Sequence, residues 1–259
     1  MDIKLLQGER LDAVNDKLSL IQRTGGLTFG TDALLLAAYI SRHKGVGLEL
    51  GSGTGIISLL LLSREKLTRI TCAEVQEAYA SLTKRNAELN RLCDRLEVIC
   101  ADVRELPHSE DYDAVFTNPP YMKTTSGRAN SEDEKNAARH EVFGDIGDFL
   151  ACAKRKLKFG GAFYAVYRPD RLTDLILAMR ENKIEPKRLT MVFASADCEP
   201  SMVLVEGRRG GGVGLYTTPP LILYKDREHR EYSDGMRYIL ENGSFPDVYF
   251  KRGLKNARQ

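Results

Sequence analysis

Short apolar runs alternate with amphipathic stretches from about Leu48 onward. Apolar runs of this length predict buried strands, whereas apolar residues three or four positions apart predict helices. The pattern predicts five strands, at residues 47–50, 69–73, 96–100, 113–116 and 161–167, with helices such as 76–90 and 145–157 between them. Because strands that alternate with helices form βαβ units, we expect five parallel strands.

Two further β-rich runs, at 188–194 and 202–206, follow without a convincing helix between them. They are therefore predicted to form an antiparallel hairpin at the edge of the sheet. The fold class predicted by these runs is α/β, with a seven-stranded, mostly parallel sheet and helices on both faces.

A second hairpin is predicted before the sheet, where runs at 18–22 and 27–29 flank the turn sequence Arg23-Thr24-Gly25-Gly26. Thr31 or Asp32 is then expected to cap a helix from residue 33 to about residue 41. These elements occupy residues 1–44 and are expected to pack on the core.

A chain of 259 residues is expected to form a single structural domain, since α/β domains often reach this size. Within it, residues 45–207 are expected to form the core and 208–259 a C-terminal extension with a basic tail. The extension is rich in glycine and proline after Gly210, and residues 221–224 predict a strand or extended segment that lies on the domain.

Composition excludes several classes of protein. Hydrophobic residues at 42% and charged residues at 29% are typical of a globular chain rather than a disordered one. The net charge of +2 is too small to indicate nucleic-acid binding by the whole molecule, so any RNA site must be a local patch.

Cysteine usage and apolar runs bear on the cellular compartment. Five cysteines without a C-x-x-C pair indicate neither a disulfide framework nor a zinc site, and no metal is expected. Because the sequence shows no apolar run of signal-peptide or membrane-spanning length, we expect a cytoplasmic protein without membrane association. The sequence implies no obligate protein partner.

A glycine loop follows the first predicted strand, with Gly51, Gly53 and Gly55 in the spacing G-x-G-x-G. The dinucleotide fingerprint is G-x-G-x-x-G, so phosphate binding is not required. Glu49, two residues before the first glycine, would repel a pyrophosphate but suits a ligand with an ammonium group. The loop therefore favours S-adenosylmethionine over NAD, although a merely tight strand-to-helix turn would have the same glycines.

Two more acidic residues close the next two predicted strands. Glu74 is placed to accept hydrogen bonds from ribose hydroxyls, and Asp102, followed by Val103, from an adenine amino group. Taken singly, each acid is more typical of a surface or capping carboxylate. Three acids at the ends of three consecutive strands indicate a ligand site, because ligands bind at that edge of open α/β sheets.

The sequence Asn118-Pro119-Pro120-Tyr121 runs directly from the fourth strand into a stiff turn. A planar amino nitrogen is a weak nucleophile, because its lone pair is delocalised. The Asn118 side-chain oxygen and the Pro119 carbonyl could accept its two N–H bonds and direct the lone pair toward a methyl donor. Tyr121 could stack on a flipped or single-stranded base. In isolation the same residues are ordinary loop punctuation.

Over residues 46–206 the chain resembles the class I methyltransferases, whose fold is Rossmann-like. The whole chain resembles the bacterial methyltransferases that modify adenine N6 beside the anticodon of a valine tRNA. The matching stretches are residues 26–37, the glycine loop, residues 118–121 and residues 138–141. The resemblance implies cofactor contacts at Gly30, Thr31 and Asp32, and an RNA substrate of the tRNA class.

The resemblance also implies a substrate-side loop from 122 to 141, which contains Lys123, Arg139 and His140. A solvated surface loop would have the same polar composition. His140 is more consistent with a phosphate or base contact, or a cap, than with a general base. Basic clusters at 154–158, at 208–209 and at Lys251, Arg252 and Lys255 are candidate phosphate contacts, of which the C-terminal one is preferred.

Two alternative functions share these motifs. Glutamine methylation of a protein such as a release factor would use the same acceptor geometry, but only about 47 residues precede the glycine loop, where such enzymes have a helical substrate domain. A non-catalytic RNA-binding scaffold could retain the fold, although Glu49, Glu74, Asp102 and Asn118 are all intact.

Overall fold

The computed structural model describes residues 5–25, 30–119 and 144–250. The strands are β1 (Glu9–Asn15), β2 (Leu18–Arg23), β3 (Val46–Leu50), β4 (Arg69–Glu74), β5 (Leu96–Cys100), β6 (Tyr112–Thr117), β7 (Leu157–Tyr167), β8 (Ile184–Phe193), β9 (Pro200–Arg209), β10 (Tyr216–Thr217) and β11 (Leu221–Ile222). The helices of the described ranges are α1 (Thr31–Tyr39), α2 (Ile56–Ser63), α3 (Glu77–Leu89), α4 (Ile146–Lys156), α5 (Leu172–Glu181) and α6 (Asp234–Asn242).

The main sheet has the order β10-β8-β9-β7-β6-β3-β4-β5, and β11 also pairs with β8. The five predicted parallel strands, β3 to β7, are confirmed, and β8 and β9 form the predicted antiparallel hairpin. Over the described residues the sheet has nine strands instead of seven, because β10 and β11 add to β8 in parallel and displace the hairpin from the edge. Two-residue strands are too short to produce a detectable period in the sequence.

Buried side chains form a large hydrophobic cluster on each face of the sheet. One cluster contains residues of α1, α2 and α6, and the other contains residues of α4 and α5. Neighbouring positions of one strand alternate between the clusters, as with Val115 and Phe116 of β6. The predicted α/β, Rossmann-like class with helices on both faces is confirmed.

The N-terminal hairpin differs from the prediction. Strand β2 covers the predicted run 18–22, but it pairs with the preceding β1, and the run 27–29 lies outside the described residues. Asn15 closes the turn, since its side-chain oxygen accepts from the backbone N–H of Lys17 and of Leu18 at 2.9 and 3.0 Å. The prediction missed β1 because its residues are half-buried or exposed and Leu11 is 52% exposed, which leaves a weak apolar alternation.

Helix α1 differs from the prediction at its N-terminal cap, and a lysine side chain caps its C-terminal end. Its N-cap is Gly30 and not Thr31 or Asp32, which both lie in its first turn. At its C-terminal end the Lys66 ammonium donates to the carbonyls of Ala37, Ala38 and Ile40 at 2.8, 2.8 and 2.7 Å. A cation at this end complements the helix dipole and satisfies carbonyls that the helix leaves free.

The C-terminal segment packs on the same core. Strand β11 confirms the extended run at 221–224, whereas α6 was not predicted, although Ser233 caps it and Met236 and Ile239 are buried at helical spacing. The buried Arg188 donates to the carbonyl of Tyr249 and lies 4.4 Å from the ring of Phe250. These contacts hold the described C-terminal end against the sheet.

Within residues 5–25, 30–119 and 144–250, none of the helices combines the length and the apolar character that crossing a bilayer requires.

Candidate functional site

The carboxyl ends of four parallel strands bring the predicted acidic and amide side chains to one edge of the sheet. Glu49 lies in β3, Glu74 ends β4, Asp102 follows β5 and Asn118 follows β6. Because β3 lies between β4 and β6, these residues come from neighbouring strands. We call this side of the sheet the carboxyl edge.

The glycine loop at this edge requires its glycines. Gly51, Gly53 and Gly55 have φ values of 70°, 56° and 78°, in the left-handed region that other residues rarely adopt. Gly55 is also the N-cap of α2, and a Cβ there would lie 2.6 Å from the Cγ2 atom of Thr83. Substitution of Gly55 is therefore opposed both by the backbone conformation and by packing against α3.

Glu74 supports the glycine loop from the next strand. Its carboxylate accepts from the backbone N–H of Gly53 at 2.9 Å and from that of Gln76 at 3.0 Å. The side chain belongs to a residue only 5% exposed. Glu74 thus fixes the loop between β3 and α2 at the same edge where the sequence analysis placed ribose contacts.

Glu49 is buried beneath the loop and is only 1% exposed. One carboxylate oxygen accepts from the backbone N–H of Ser58 at 3.2 Å and also from the Ser58 hydroxyl, and the thiol of Cys72 lies 3.8 Å from it. Burial raises the pKa of Glu49 to about 8. Through these contacts Glu49 anchors α2 to β3. The sequence did not indicate that Ser58 and Cys72 would be its partners.

Asp102 forms a salt bridge with a residue that the sequence analysis did not consider. Arg104 donates to it through Nε at 3.0 Å and through its backbone N–H at 2.8 Å. The Arg104 guanidinium holds the pKa of Asp102 below its ordinary value. The neighbouring Val103 is 6% exposed and belongs to a hydrophobic cluster. In the sequence, this salt bridge is indicated by the D-x-R spacing of Asp102 and Arg104.

Asn118 meets Asp32 across the carboxyl edge. The side-chain nitrogen of Asn118 donates to one carboxylate oxygen of Asp32 at 3.0 Å, and the other oxygen of Asp32 accepts from the backbone N–H of Ala33 at 2.9 Å. The side-chain oxygen of Asn118, Oδ1, is buried and has no hydrogen-bond partner within the described part of the chain. Buried polar atoms normally have partners, so this acceptor stands out.

A cleft of about 920 Å³ lies beside this pair. Thr31 and Asp32 of α1 line one part of it, Tyr167 of β7 another, and Met191 and Met202 of the β8–β9 hairpin a third. The opening thus combines polar side chains from α1, the aromatic ring of Tyr167 and two methionines of the hairpin, and charged residues such as Arg168 and Glu199 also line it. Sequence analysis did not find it, because its lining comes from segments far apart in the chain.

Part of the predicted site lies outside the described residues. Those residues are Pro120, Tyr121, Lys123, Arg139, His140, Lys251, Arg252 and Lys255. Pro119 is described and buried.

Two predicted phosphate-binding clusters lie away from the carboxyl edge. Residues 156–158 end α4 and begin β7, and residues 208–209 end the antiparallel β9, so both lie toward the amino ends of the parallel strands. Lys158 pairs with Asp113 at 2.8 Å, and Arg209 with Glu110 at 2.5 Å. These two charges therefore have partners within the fold, and the role of both clusters as phosphate contacts stays a prediction.

The described part of the chain contains no group of three or more His, Cys, Asp and Glu side chains arranged to hold a metal ion.

Comparison with known proteins gives a family and a fold. The profile of the methyltransferase small domain matches residues 24–178. A protein of Porphyromonas gingivalis named tRNA1(Val) (adenine(37)-N6)-methyltransferase is 28% identical over 199 residues, which cover 73% of this chain and 77% of that protein.

Solved structures show the same fold at lower identity. A crystal structure described as a predicted O-methyltransferase from Agrobacterium tumefaciens superposes with a TM-score of 0.67 at 22% identity, over 83% of this chain and 98% of that one. The structure of M. jannaschii TYW2 in complex with AdoMet superposes with a TM-score of 0.54 at 14% identity, over 80% and 87%. These findings confirm the resemblance stated from the sequence motifs.

Proposed function

The chain belongs to the methyltransferase small domain family, and from this premise we propose that it methylates N6 of an adenine in RNA, with tRNA as the substrate class. Its methyl donor is S-adenosylmethionine, the ligand present in the TYW2 structure. The observation that carries the proposal is the buried, unpartnered Oδ1 of Asn118 at the carboxyl edge.

The residues at the carboxyl edge fit the methyl donor. Three left-handed glycines bring the backbone of the loop close to this edge, and Glu74 and Asp102 follow the next two parallel strands. Carboxylates in these positions can accept from the hydroxyl and amino groups of a nucleoside. The glycine loop, Glu74 and Asp102 would hold S-adenosylmethionine, which when bound supplies an electrophilic methyl group, while Glu49 supports the loop from below.

Asn118 is suited to hold a planar amine. A buried oxygen without a partner costs about 1–3 kcal/mol of folding free energy, which an incoming N–H group would recover. The Pro119 carbonyl is the proposed second acceptor, because proline fixes the backbone at this position. With both N–H bonds held, the nitrogen lone pair is directed away from the acceptors. Placement and electrostatics supply the rate, and the nitrogen releases one proton to solvent.

The target base is expected to enter through the cleft beside Asp32. Its aromatic and methionine side chains suit a flat base, and pockets for extruded bases have apolar walls with a few polar groups. The name of the Porphyromonas gingivalis protein supports a tRNA substrate. The proposal includes contacts to the RNA substrate from residues 120–141 and 251–255.

The test is to incubate the purified protein with methyl-tritiated S-adenosylmethionine and total RNA from cells that lack the gene. The RNA is then digested, and the labelled nucleoside is identified by chromatography. Label in N6-methyladenosine from the tRNA fraction is the expected result. Label in a protein fraction and none in RNA would replace adenine with a glutamine side chain as the acceptor. Absence of S-adenosylmethionine binding would instead favour a non-catalytic scaffold.

A further inference from the structure

The hydrogen bond between Asp32 and Asn118 determines which end of the Asn118 amide faces the reacting amine. A carboxylate accepts hydrogen bonds and donates none, so the nitrogen of Asn118 must be the atom that lies 3.0 Å from Asp32. The oxygen then points away from Asp32. That oxygen is the buried atom with no partner among the described residues.

Asp32 is itself held by a backbone hydrogen bond, in a space that Gly30 leaves open. Its second oxygen accepts from the backbone N–H of Ala33 at 2.9 Å. A Cβ at position 30 would lie 2.7 Å from the same oxygen. Only glycine at position 30 leaves room for this conformation of Asp32. The carboxylate is therefore a fixed reference point for the Asn118 amide.

We infer that Asp32 is a positioning residue, which holds the Asn118 amide so that its oxygen, and not its nitrogen, faces the substrate amine. This inference rests on the proposed function and adds a residue to it. The resemblance implied that Asp32 contacts the cofactor, whereas here Asp32 acts on Asn118. Without the carboxylate the amide could turn by about 180° about its last side-chain bond. The nitrogen would then oppose the N–H bonds of the substrate, donor against donor.

A reciprocal exchange of the two side chains provides the sharpest test. In Asp32→Asn the side-chain oxygen of residue 32 can still accept from Ala33, so its NH2 group faces Asn118 and favours the reversed amide. In Asn118→Asp two carboxylates oppose each other across the present hydrogen bond. In the double variant Asp32→Asn/Asn118→Asp, the NH2 group of residue 32 donates to the new carboxylate. The second oxygen of that carboxylate again faces the substrate.

The expected kinetics follow from losing one oriented acceptor. Each single variant should lower kcat about 10- to 100-fold, in line with the loss of a hydrogen bond to the reacting group. The Kd for S-adenosylmethionine, measured by calorimetry, should stay within about twofold. The double variant should recover to within about tenfold of the wild-type kcat. Asp197→Asn, which removes a carboxylate that is 64% exposed and paired with Arg227, is the matched control.

A spectroscopic readout separates this inference from the proposed function. In protein labelled with ¹⁵N at asparagine, the Asn118 side-chain NH2 resonance, assigned by its loss in Asn118→Asp, should shift in Asp32→Asn. That measurement needs no substrate, so it holds even if wild-type protein fails to label RNA.

Three results would overturn the inference. Asp32→Asn could keep wild-type turnover and an unshifted resonance. Asp32→Asn could instead weaken S-adenosylmethionine binding with kcat unchanged, which would return Asp32 to the cofactor contacts. The double variant, folded by circular dichroism, could remain as inactive as the worse single variant.

Discussion

The polar groups at the two ends of the parallel strands differ in whether they have partners within the fold. Toward the amino ends of the parallel strands, charges are matched within the fold, as Lys158 is with Asp113 and Arg209 with Glu110. At the carboxyl edge, Glu49 is buried with a raised pKa and Asn118 has an oxygen without a described partner. Both arrangements are built from ordinary polar residues. The unpartnered oxygen of Asn118 distinguishes the carboxyl edge from these two matched pairs.

This difference indicates that chemistry in this fold takes place at the carboxyl edge. Matched charges stabilise modestly and are complete without a ligand. Unmatched buried groups cost free energy, and such costs are concentrated at functional sites. The basic clusters drew attention in the sequence by their charge, whereas the structure directs it to an uncharged amide.

The largest expected effect follows from removing the unpartnered acceptor. Asn118→Ala should reduce kcat by about 10²- to 10³-fold, because one acceptor that orients the amine is lost. The Kd for S-adenosylmethionine should remain nearly unchanged. Single-turnover kinetics and calorimetry on the same preparations measure the two quantities. Near-normal turnover would show that the unused oxygen has no role in catalysis.

Glu49→Gln should change how stability depends on pH. Burial raises the pKa of Glu49 from 4.5 to about 8, so the folded state keeps a proton that the unfolded state loses above pH 4.5. The associated stability is present below pH 4.5 and is lost as the pH rises toward 8. The loss is about 1.4 kcal/mol for each pH unit between the two pKa values, up to a few kcal/mol.

Urea unfolding of wild type and Glu49→Gln at pH 5 and pH 8.5 measures this effect. The variant should gain stability relative to wild type as the pH rises, because glutamine has no proton to lose. Parallel pH profiles would mean that Glu49 titrates normally and is no cost to the fold.

Glu74→Gln should weaken S-adenosylmethionine binding by about tenfold. Glutamine has one acceptor oxygen where Glu74 uses two, so either Gly53 or Gln76 loses its partner and the glycine loop loosens. Calorimetric titration measures the Kd. Glu97→Gln, at an exposed position of the neighbouring β5, should bind like wild type. Equal affinities for both variants would remove Glu74 from the support of the loop.

The smallest effect is expected at the amino ends of the strands. Arg209→Ala should lower stability only slightly, because its salt bridge with Glu110 is partly exposed. Turnover and the salt dependence of RNA binding should not change. A fall of about one in the slope of log affinity against log salt would instead identify Arg209 as the phosphate contact that its basic cluster predicted.

Sequence patterns predicted the parallel core because most of its strands are buried apolar runs, although in β5 only Leu96 is buried. Leu48, Cys72 and Phe116 all lie in such runs and are fully buried or nearly so. The glycine loop was predictable for a different reason, since three left-handed positions leave only glycine as a comfortable choice. Local physics therefore accounts for β3 to β7 and for the loop.

The missed features depend on contacts between distant segments. Nothing near Asp32 in the sequence indicates Asn118, and nothing near Thr31 indicates that Met191 and Met202 share its cleft. Sequence position also cannot show that the Glu49 carboxylate accepts from Ser58, whereas its contact with the cofactor stays a prediction. The residue types of the site were predictable from the sequence, whereas the hydrogen-bond partners of its side chains depend on the fold.

The bond between Asp32 and Asn118 spans 86 positions of the chain. It forms only after α1 and the end of β6 have come together, which requires closing a long loop and is slow relative to helix formation. During refolding we therefore expect helices to form before this contact does. Recovery of turnover should then report complete assembly of the chain and lag behind the recovery of helical signal.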